Sequence, residues 1–275
     1  MSRPAIALII VEALLAPLTG LTQSPSLVAA RLHASVGIDS RGVFIYQYTV
    51  ENGAGSTAGI WKLAIDMSLP MGVSRAGEPV GLSAPQPGWR AIVGTDATAH
   101  WEATRDASVV LPKHTLAGFS ITSHDPPALG RFTLSPHIDP DRAPIMPPGD
   151  DPGDADRYNQ DLARYVESQS VEGVTLAPTA PGTVTPDAVL ANLTNQVVQA
   201  RALGWISSDA ITRNLRARLE PARAAFSRRQ FEMARNILSA LRNDVAAQSG
   251  KSLTTEAVAL LDLNIQYVLQ LAAKH

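Results

Sequence analysis

The run Val43-Phe44-Ile45-Tyr46-Gln47-Tyr48-Thr49-Val50 decides the fold of the first half of the chain. β-Branched and aromatic residues dominate it, as they do in strands. Alternation places one row of large side chains on a single face: Phe44, Tyr46, Tyr48 and Val50. The turn signal Asp39-Ser40-Arg41-Gly42 comes before it, so the run is predicted to pair with Leu27–Val36 as an antiparallel hairpin.

Further short runs of strand-like composition follow, and Gly and Pro residues separate them. They are Ile60–Met67, Trp89–Gly94, His100–Ala103, Ser108–Leu111, Leu116–Ser123 and Arg131–Ser135. Many short strands at near-regular spacing are typical of an antiparallel sandwich or barrel. We predict a β-sandwich domain over residues 27–136.

The composition changes after residue 136. Residues 137–184 are rich in Pro, Gly and Asp, which disfavour regular structure. We predict a linker over this segment, interrupted by a short helix at residues 157–169.

From Thr185 the apolar residues recur at helical spacing. Thr185 is a predicted N-cap with Pro186 in the first helical position, and Gly204 ends that helix. Three more amphipathic helices follow, and Pro221 predicts a kink or break in the second helix of the four. Residues 185–275 are therefore predicted to form a small antiparallel bundle. The complete chain is predicted to be an α+β protein of two domains.

The helical half resembles a known family. The segments that carry the likeness are Ala202-Leu-Gly-Trp-Ile-Ser-Ser-Asp-Ala-Ile, Leu215-Arg-Ala-Arg-Leu-Glu-Pro-Ala, Ala234-Arg-Asn-Ile-Leu-Ser-Ala-Leu, Ala247-Gln-Ser-Gly-Lys, Glu256-Ala-Val-Ala-Leu-Leu and Tyr267-Val-Leu. Over residues 186–271 they are similar to the FIMAH module, a small helical bundle at the C-terminus of bacterial extracellular proteins. The resemblance implies a non-catalytic interaction or spacer role outside the cell. The β-rich half resembles unassigned domains of secreted bacterial proteins.

The first residues have the features of an export signal. Arg3 precedes a mostly apolar stretch, Ala5–Leu18, which is too short to span a membrane. We predict a signal peptide over residues 1–26, cleaved between residues 20 and 30, and a secreted or periplasmic product. No membrane span is predicted in the mature chain.

Composition limits the possible partners and chemistry. The chain has 275 residues, 45% of them hydrophobic, with a net charge of −2 and no cysteine. Disulfides and thiolate metal sites are excluded, and the charge argues against a nucleic-acid binder. Charge is nevertheless uneven, at −6 over residues 139–172 (nine acidic, three basic) and +6 over residues 200–251 (ten basic, four acidic). The basic segment indicates either a solvated arginine face or a surface for anionic envelope polymers or the acidic linker.

Tryptophans are the candidate binding residues of the β half. Trp61, Trp89 and Trp101 could stack on sugars, close to the carboxylates Asp66, Glu78, Asp96, Glu102 and Asp106. Cleavage of a glycoside would need two such carboxylates across a cleft. The alternative is that these aromatic residues fill the core. Burial of the three tryptophans between sheets would favour that alternative, whereas exposure on one face would favour sugar binding.

A calcium site is the candidate metal site. Asp150, Asp151, Asp154 and Asp156 lie close together in the predicted linker, and carboxylate oxygens are the ligands that Ca²⁺ prefers. The alternative is a solvated acidic linker without a metal. No other cofactor is predicted.

The sequence supports two functions. No catalytic motif is recognised, so the first is a non-enzymatic exported protein of bacteria with a binding or structural role. The second is a secreted protein that binds or cleaves carbohydrate with its β-sandwich. The expected partner is an envelope polysaccharide or another exported protein, and not nucleic acid.

Overall fold

The computed structural model describes residues 27, 29–67, 79–94, 97–138, 152–178 and 185–273. Two antiparallel sheets form the N-terminal half and helices dominate the C-terminal half, which confirms the predicted α+β class. The strands are β1 (Ala30–Ile38), β2 (Phe44–Asn52), β3 (Ile60–Asp66), β4 (Pro79–Ser83), β5 (Trp89–Val93), β6 (Thr98–Ala103), β7 (His114–Ser123), β8 (Pro127–Pro136) and β9 (Val171–Pro178). The helices are α1 (Pro152–Gln169), α2 (Pro186–Ala202), α3 (Asp209–Ser227), α4 (Phe231–Gln248) and α5 (Thr255–Ala272).

The two sheets have the strand orders β1-β2-β7-β4 and β5-β6-β3-β8-β9. The predicted hairpin is confirmed, because β1 pairs with β2 in the register Ala34↔Tyr48. Its turn is held by the Asp39 carboxylate, which accepts hydrogen bonds from the backbone N–H groups of Arg41 and Val43. The strand predicted at residues 108–111 is absent from the structure. A 3₁₀ turn at Asp106–Ser108 and a single bridge from Val110 to Ile60 take its place.

Aromatic side chains fill the space between the sheets. All four residues of the row predicted on β2 are fully buried. The Tyr48 ring lies 6.1 Å from Trp101 of the other sheet, and Phe119 meets Trp101 edge-on at 5.9 Å between ring centroids. Contacts of this kind across two inner faces define a sandwich.

Helices α2 to α5 form the predicted bundle, in which each helix contacts the next and α5 closes on α2. The side chains of Thr185, Ser208 and Thr254 accept hydrogen bonds from the first turns of α2, α3 and α5, as N-caps do. Helix α3 continues without interruption through Pro221, so the predicted break does not occur. None of the helices described is both long and apolar enough to cross a membrane.

The segment predicted as a linker contains regular structure. Helix α1 occupies residues 152–169, longer than the predicted short helix, and β9 extends the second sheet by pairing with β8. Pro152 is compatible with the first turn of a helix, where an N–H is not needed. Pro178 is compatible with β9 because this strand lies at the edge of its sheet. Proline therefore marks element ends here, and the linker prediction does not hold for residues 152–178.

The sandwich and the bundle share one hydrophobic core. Helix α5 contacts β1, β8 and β9, and Tyr267 of α5 meets Phe44 of β2 edge-on at 6.0 Å. The buried Asn264 side chain of α5 donates hydrogen bonds to the carbonyl oxygens of Pro127, at 2.7 Å, and of Leu260. Pro178 lies opposite Pro127 and has no N–H, so it cannot supply that bond.

We expect Asn264→Ala to lower the free energy of unfolding by about 2 kcal/mol, because it leaves the carbonyl of Pro127 buried without a donor. Urea denaturation followed by circular dichroism measures this change. Asn243→Ala, at an exposed position of α4, is the matched control and is expected to change stability by less than about 0.5 kcal/mol. Equal effects of the two substitutions would contradict the importance of this contact.

Candidate functional site

The three candidate tryptophans lie in two different environments. Trp101 is fully buried and Trp89 is 6% exposed, both between the sheets. Their indole N–H groups donate to the carbonyl oxygens of Ser83 and Ser108 respectively, each at 2.8 Å. Trp61 is only half-buried and lies elsewhere. The structure therefore does not bring the three together on an exposed face, and Trp89 and Trp101 act as core residues.

Strand alternation explains the burial of Trp101. In β6, Ala99 and Trp101 point inward, whereas His100 and Glu102 are only half-buried on the outer face. The period of two that is visible in Ala99-His100-Trp101-Glu102 is the sequence signal for this orientation.

A β-bulge turns Trp61 to the outer face. Ile60 pairs with Pro136 and Lys62 pairs with Ser135, so Trp61 is the extra residue between them. Ile60 and Leu63 are fully buried, while Trp61 and Lys62 between them are half-buried. Bulges commonly redirect a side chain in this way beside binding sites.

Trp61 lies in a groove between α1 and the second sheet, which we call the α1 groove. Its volume is about 510 Å³, within the range of small-ligand sites. The sheet contributes Trp61, Thr133, Ser135 and Glu172, followed by Ile138; α1 and the residue after it contribute Asn159, Leu162, Ala163, Val166, Glu167 and Ser170. The groove thus combines one aromatic side chain with hydroxyl, amide and carboxylate groups.

The indole nitrogen of Trp61 differs from those of Trp89 and Trp101. It is shielded from solvent and has no hydrogen-bond partner among the residues that the structure describes. The part of Trp61 that a ligand in the groove can contact is therefore the ring rather than this N–H. The hydroxyls of Ser135 and Ser170 lie 3.4 Å apart in the lining of the same groove.

Next to Trp61, a charged row crosses the outer face of the sheet. Glu102 of β6 lies between Arg90 of β5, at 3.1 Å, and Lys62 of β3, at 3.2 Å. Partial burial raises the pKa of the Glu102 carboxyl group, but the hydrogen bonds from Arg90 and Lys62 outweigh it and lower that pKa overall. Lys62 Nζ is also 6.0 Å from the centroid of the Trp61 ring, so a fixed cation stands beside the aromatic face.

The candidate carboxylates do not form one cluster. Glu102 belongs to the charged row, Asp106 pairs with His137 at 3.0 Å, and Asp66 lies on the outer face of β3. Glu78 and Asp96 lie outside the described residues.

The calcium candidates also separate. Asp154 and Asp156 lie two positions apart in α1, so they point in different directions, and Asp154 pairs with Arg157 at 3.2 Å. Asp150 and Asp151 lie outside the described residues. Within the described ranges, no group of three or more metal-ligating side chains converges.

Two smaller concavities lie outside the α1 groove, among the residues described. One, of about 310 Å³, lies where α2 meets β8 and β9, beside Arg131 and Leu203. The other, of about 110 Å³, lies between α3 and α4, beside Arg218 and Asp244. The α1 groove is larger than either and is the concavity that contains a residue predicted to bind sugar.

Sequence reasoning missed the helix side and the far wall of the groove. Asn159 and Glu167 lie in the short helix predicted at residues 157–169, but nothing in the sequence places that helix against the sheet. Glu172 belongs to the predicted linker, and only the pairing of β9 with β8 brings it opposite Thr133. The available signal was weak: Val171-Glu172-Gly173-Val174 does not alternate, and strand-like composition is confined to the short run Val174-Thr175-Leu176.

No protein-family model matches the chain, and no curated protein matches it. The candidate site is therefore defined by its geometry and chemistry alone.

We expect Trp101→Ala to lower the free energy of unfolding by about 3–5 kcal/mol, because it removes a fully buried ring that contacts both Tyr48 and Phe119. Trp61→Ala is the matched control, and its loss is expected to be about 1 kcal/mol. Chemical denaturation of both variants gives the comparison. A larger loss for Trp61→Ala would show that Trp61 is the structural residue.

Proposed function

We propose that the chain is an exported, non-enzymatic binding protein of the bacterial cell exterior and that it binds its ligand in the α1 groove. One observation carries the proposal: an aromatic side chain turned outward by a bulge lies in a groove of about 510 Å³ with polar groups on both walls. The resemblance of the helical half to the FIMAH module supports an interaction role. One candidate partner for this interaction role is another exported protein.

A carbohydrate is the second candidate, and a specific observation favours it. Sugars present apolar C–H faces together with hydroxyl groups, and the groove offers the Trp61 ring beside serine hydroxyls, an amide and carboxylates. Under this proposal Trp89 and Trp101 only support the sheets.

The shared core determines how binding should be tested. Expressing the two halves separately, with the chain divided between residues 140 and 183, would remove β9 or part its pairing with β8. It would also expose the surface of the sandwich that α5 covers. Binding therefore has to be measured on the complete mature chain, and single substitutions then assign the surface.

We expect the chain to be retained by at least one insoluble polysaccharide or by peptidoglycan, and Trp61→Ala to bind about tenfold more weakly, equivalent to about 1.4 kcal/mol. Pull-down assays with and without calcium measure retention. Ile92→Ala is the control, because Ile92 is also exposed in the second sheet but lies outside the groove. Unchanged binding by Trp61→Ala would remove the groove from consideration. Failure of every polymer to retain the parent chain would reject the carbohydrate candidate.

Export has its own test. Residues 1–30 fused to a reporter that is active only outside the cytoplasm are expected to give activity, because Arg3 and Ala5–Leu18 supply the charged and apolar regions of a signal. Introducing a charge with Ile10→Arg should abolish that activity. Reporter activity that is independent of both the segment and the substitution would contradict export.

A further inference from the structure

Two arginines on the exposed side of α3 and two in the turn that follows the helix have no partner. Arg213, Arg216, Arg228 and Arg229 are exposed and form no ion pair or hydrogen bond through their side chains in the part of the chain that the structure describes. We call them the α3 arginine stripe. Other arginines of the helical half do pair with carboxylates, namely Arg201 with Asp209, Arg218 with Asp244, Arg223 with Asp187, Arg235 with Glu232, and Arg242 with Asp262.

The backbone at Arg229 is the second, independent observation. Helices α2 and α4 are each followed by a glycine in the left-handed region, Gly204 with φ 77° and Gly250 with φ 69°. Arg229 follows α3 in the same conformation, with φ 59°. A residue with a Cβ is disfavoured there relative to glycine.

Local structure does not require an arginine side chain at this turn. The turn is closed by backbone bonds, from Arg229 N–H to the Phe226 carbonyl and from Gln230 N–H to the Ala225 carbonyl, each at 2.9 Å. Glycine would make the same bonds without the strain. A cation is favourable near the end of a helix, but Arg228 already provides one at the C-cap of α3. Ala97 and Lys113 also adopt this conformation, so at Arg229 it supports a binding role only together with the unpaired charges of the stripe.

The stripe suits an extended ligand rather than a single small anion. From Arg213 to Arg228 the helix rises about 22 Å, at about 1.5 Å per residue. The apolar side of α3, with Leu215, Leu219 and Phe226, is buried in the bundle and is not available to enter a lipid layer. These features favour a water-soluble chain with repeated negative charges.

We propose that the α3 arginine stripe binds a linear polyanion along α3, with Arg228 and Arg229 contacting adjacent anionic groups. Phosphate and carboxylate groups both fit guanidinium donors. The surface lies on a helix that packs on α2 and α4, whereas the α1 groove lies on the second sheet. The proposal therefore does not depend on the function proposed for the groove.

The test uses immobilised long-chain inorganic polyphosphate and the complete mature chain at 50 and 200 mM salt. We expect binding to weaken as the salt concentration rises, because arginine side chains that bind a polyanion release its condensed counterions. The double variant Arg228→Asn/Arg229→Asn should bind about tenfold more weakly. Asparagine removes the charge but tolerates the left-handed conformation, so the fold is preserved. Circular dichroism checks this.

The matched control is Arg157→Asn/Arg164→Asn, which removes two charges from the exposed ion pairs of α1. It should bind polyphosphate within about twofold of the parent chain, since single exposed pairs contribute little to the fold. An equal loss in both double variants would overturn the proposal in favour of general charge. Full binding by the α3 double variant would overturn it as well. Tighter, arginine-dependent binding to phosphatidylglycerol vesicles than to polyphosphate would identify a membrane surface instead of a polymer.

A stability measurement separates binding from a structural role. Arg229→Gly is expected to raise the melting temperature by about 2 °C while weakening polyphosphate binding. A lower melting temperature would mean that Arg229 stabilises the fold, which would overturn the inference drawn from its conformation.

Discussion

The hydrogen bond from Asn264 to Pro127 joins the two halves of the protein at a strand that contacts both the second sheet and three of the helices. Strand β8 pairs with β3 and β9 and also contacts α1, α2 and α5. Its first residue faces a proline across the ladder, so a helix has to provide the missing donor. Because a buried carbonyl without a donor is unfavourable, this requirement favours docking of α5 against the sandwich. The bundle and the sheets consequently share one buried core.

The elements predicted best are those whose own residues determine their structure. The inward row of β2 and the capped helices from Thr185 onward follow from local alternation, helical spacing and capping side chains. The sequence prediction omits β9 and the first residues of α1, because proline and glycine are read there as excluding regular structure. Their positions at element ends, or at the edge of a sheet, make both residues acceptable there.

The candidate site was harder to predict because it depends on pairing between distant segments. Nothing local to Trp61 shows that the register slips between Ile60 and Lys62, yet this slip separates Trp61 from the buried Trp89 and Trp101. A shift of one residue reverses which face a side chain occupies, so composition alone treats the three tryptophans as equivalent. Glu172 likewise reaches the groove only through the pairing of β9 with β8.

The two proposed binding surfaces share a physical feature. In the α1 groove a shielded indole N–H lacks an acceptor among the described residues, and beyond α3 an arginine occupies a conformation in which two neighbouring helices have glycine. Other described residues share these features, since Ala97 and Lys113 are also left-handed and Asn52 Oδ1 is also buried without a partner, but these two lie in the proposed binding surfaces. Stability alone would favour an acceptor near Trp61 and a glycine at position 229. For Arg229, the proposed polyanion would use the side chain and so offset the cost of its conformation.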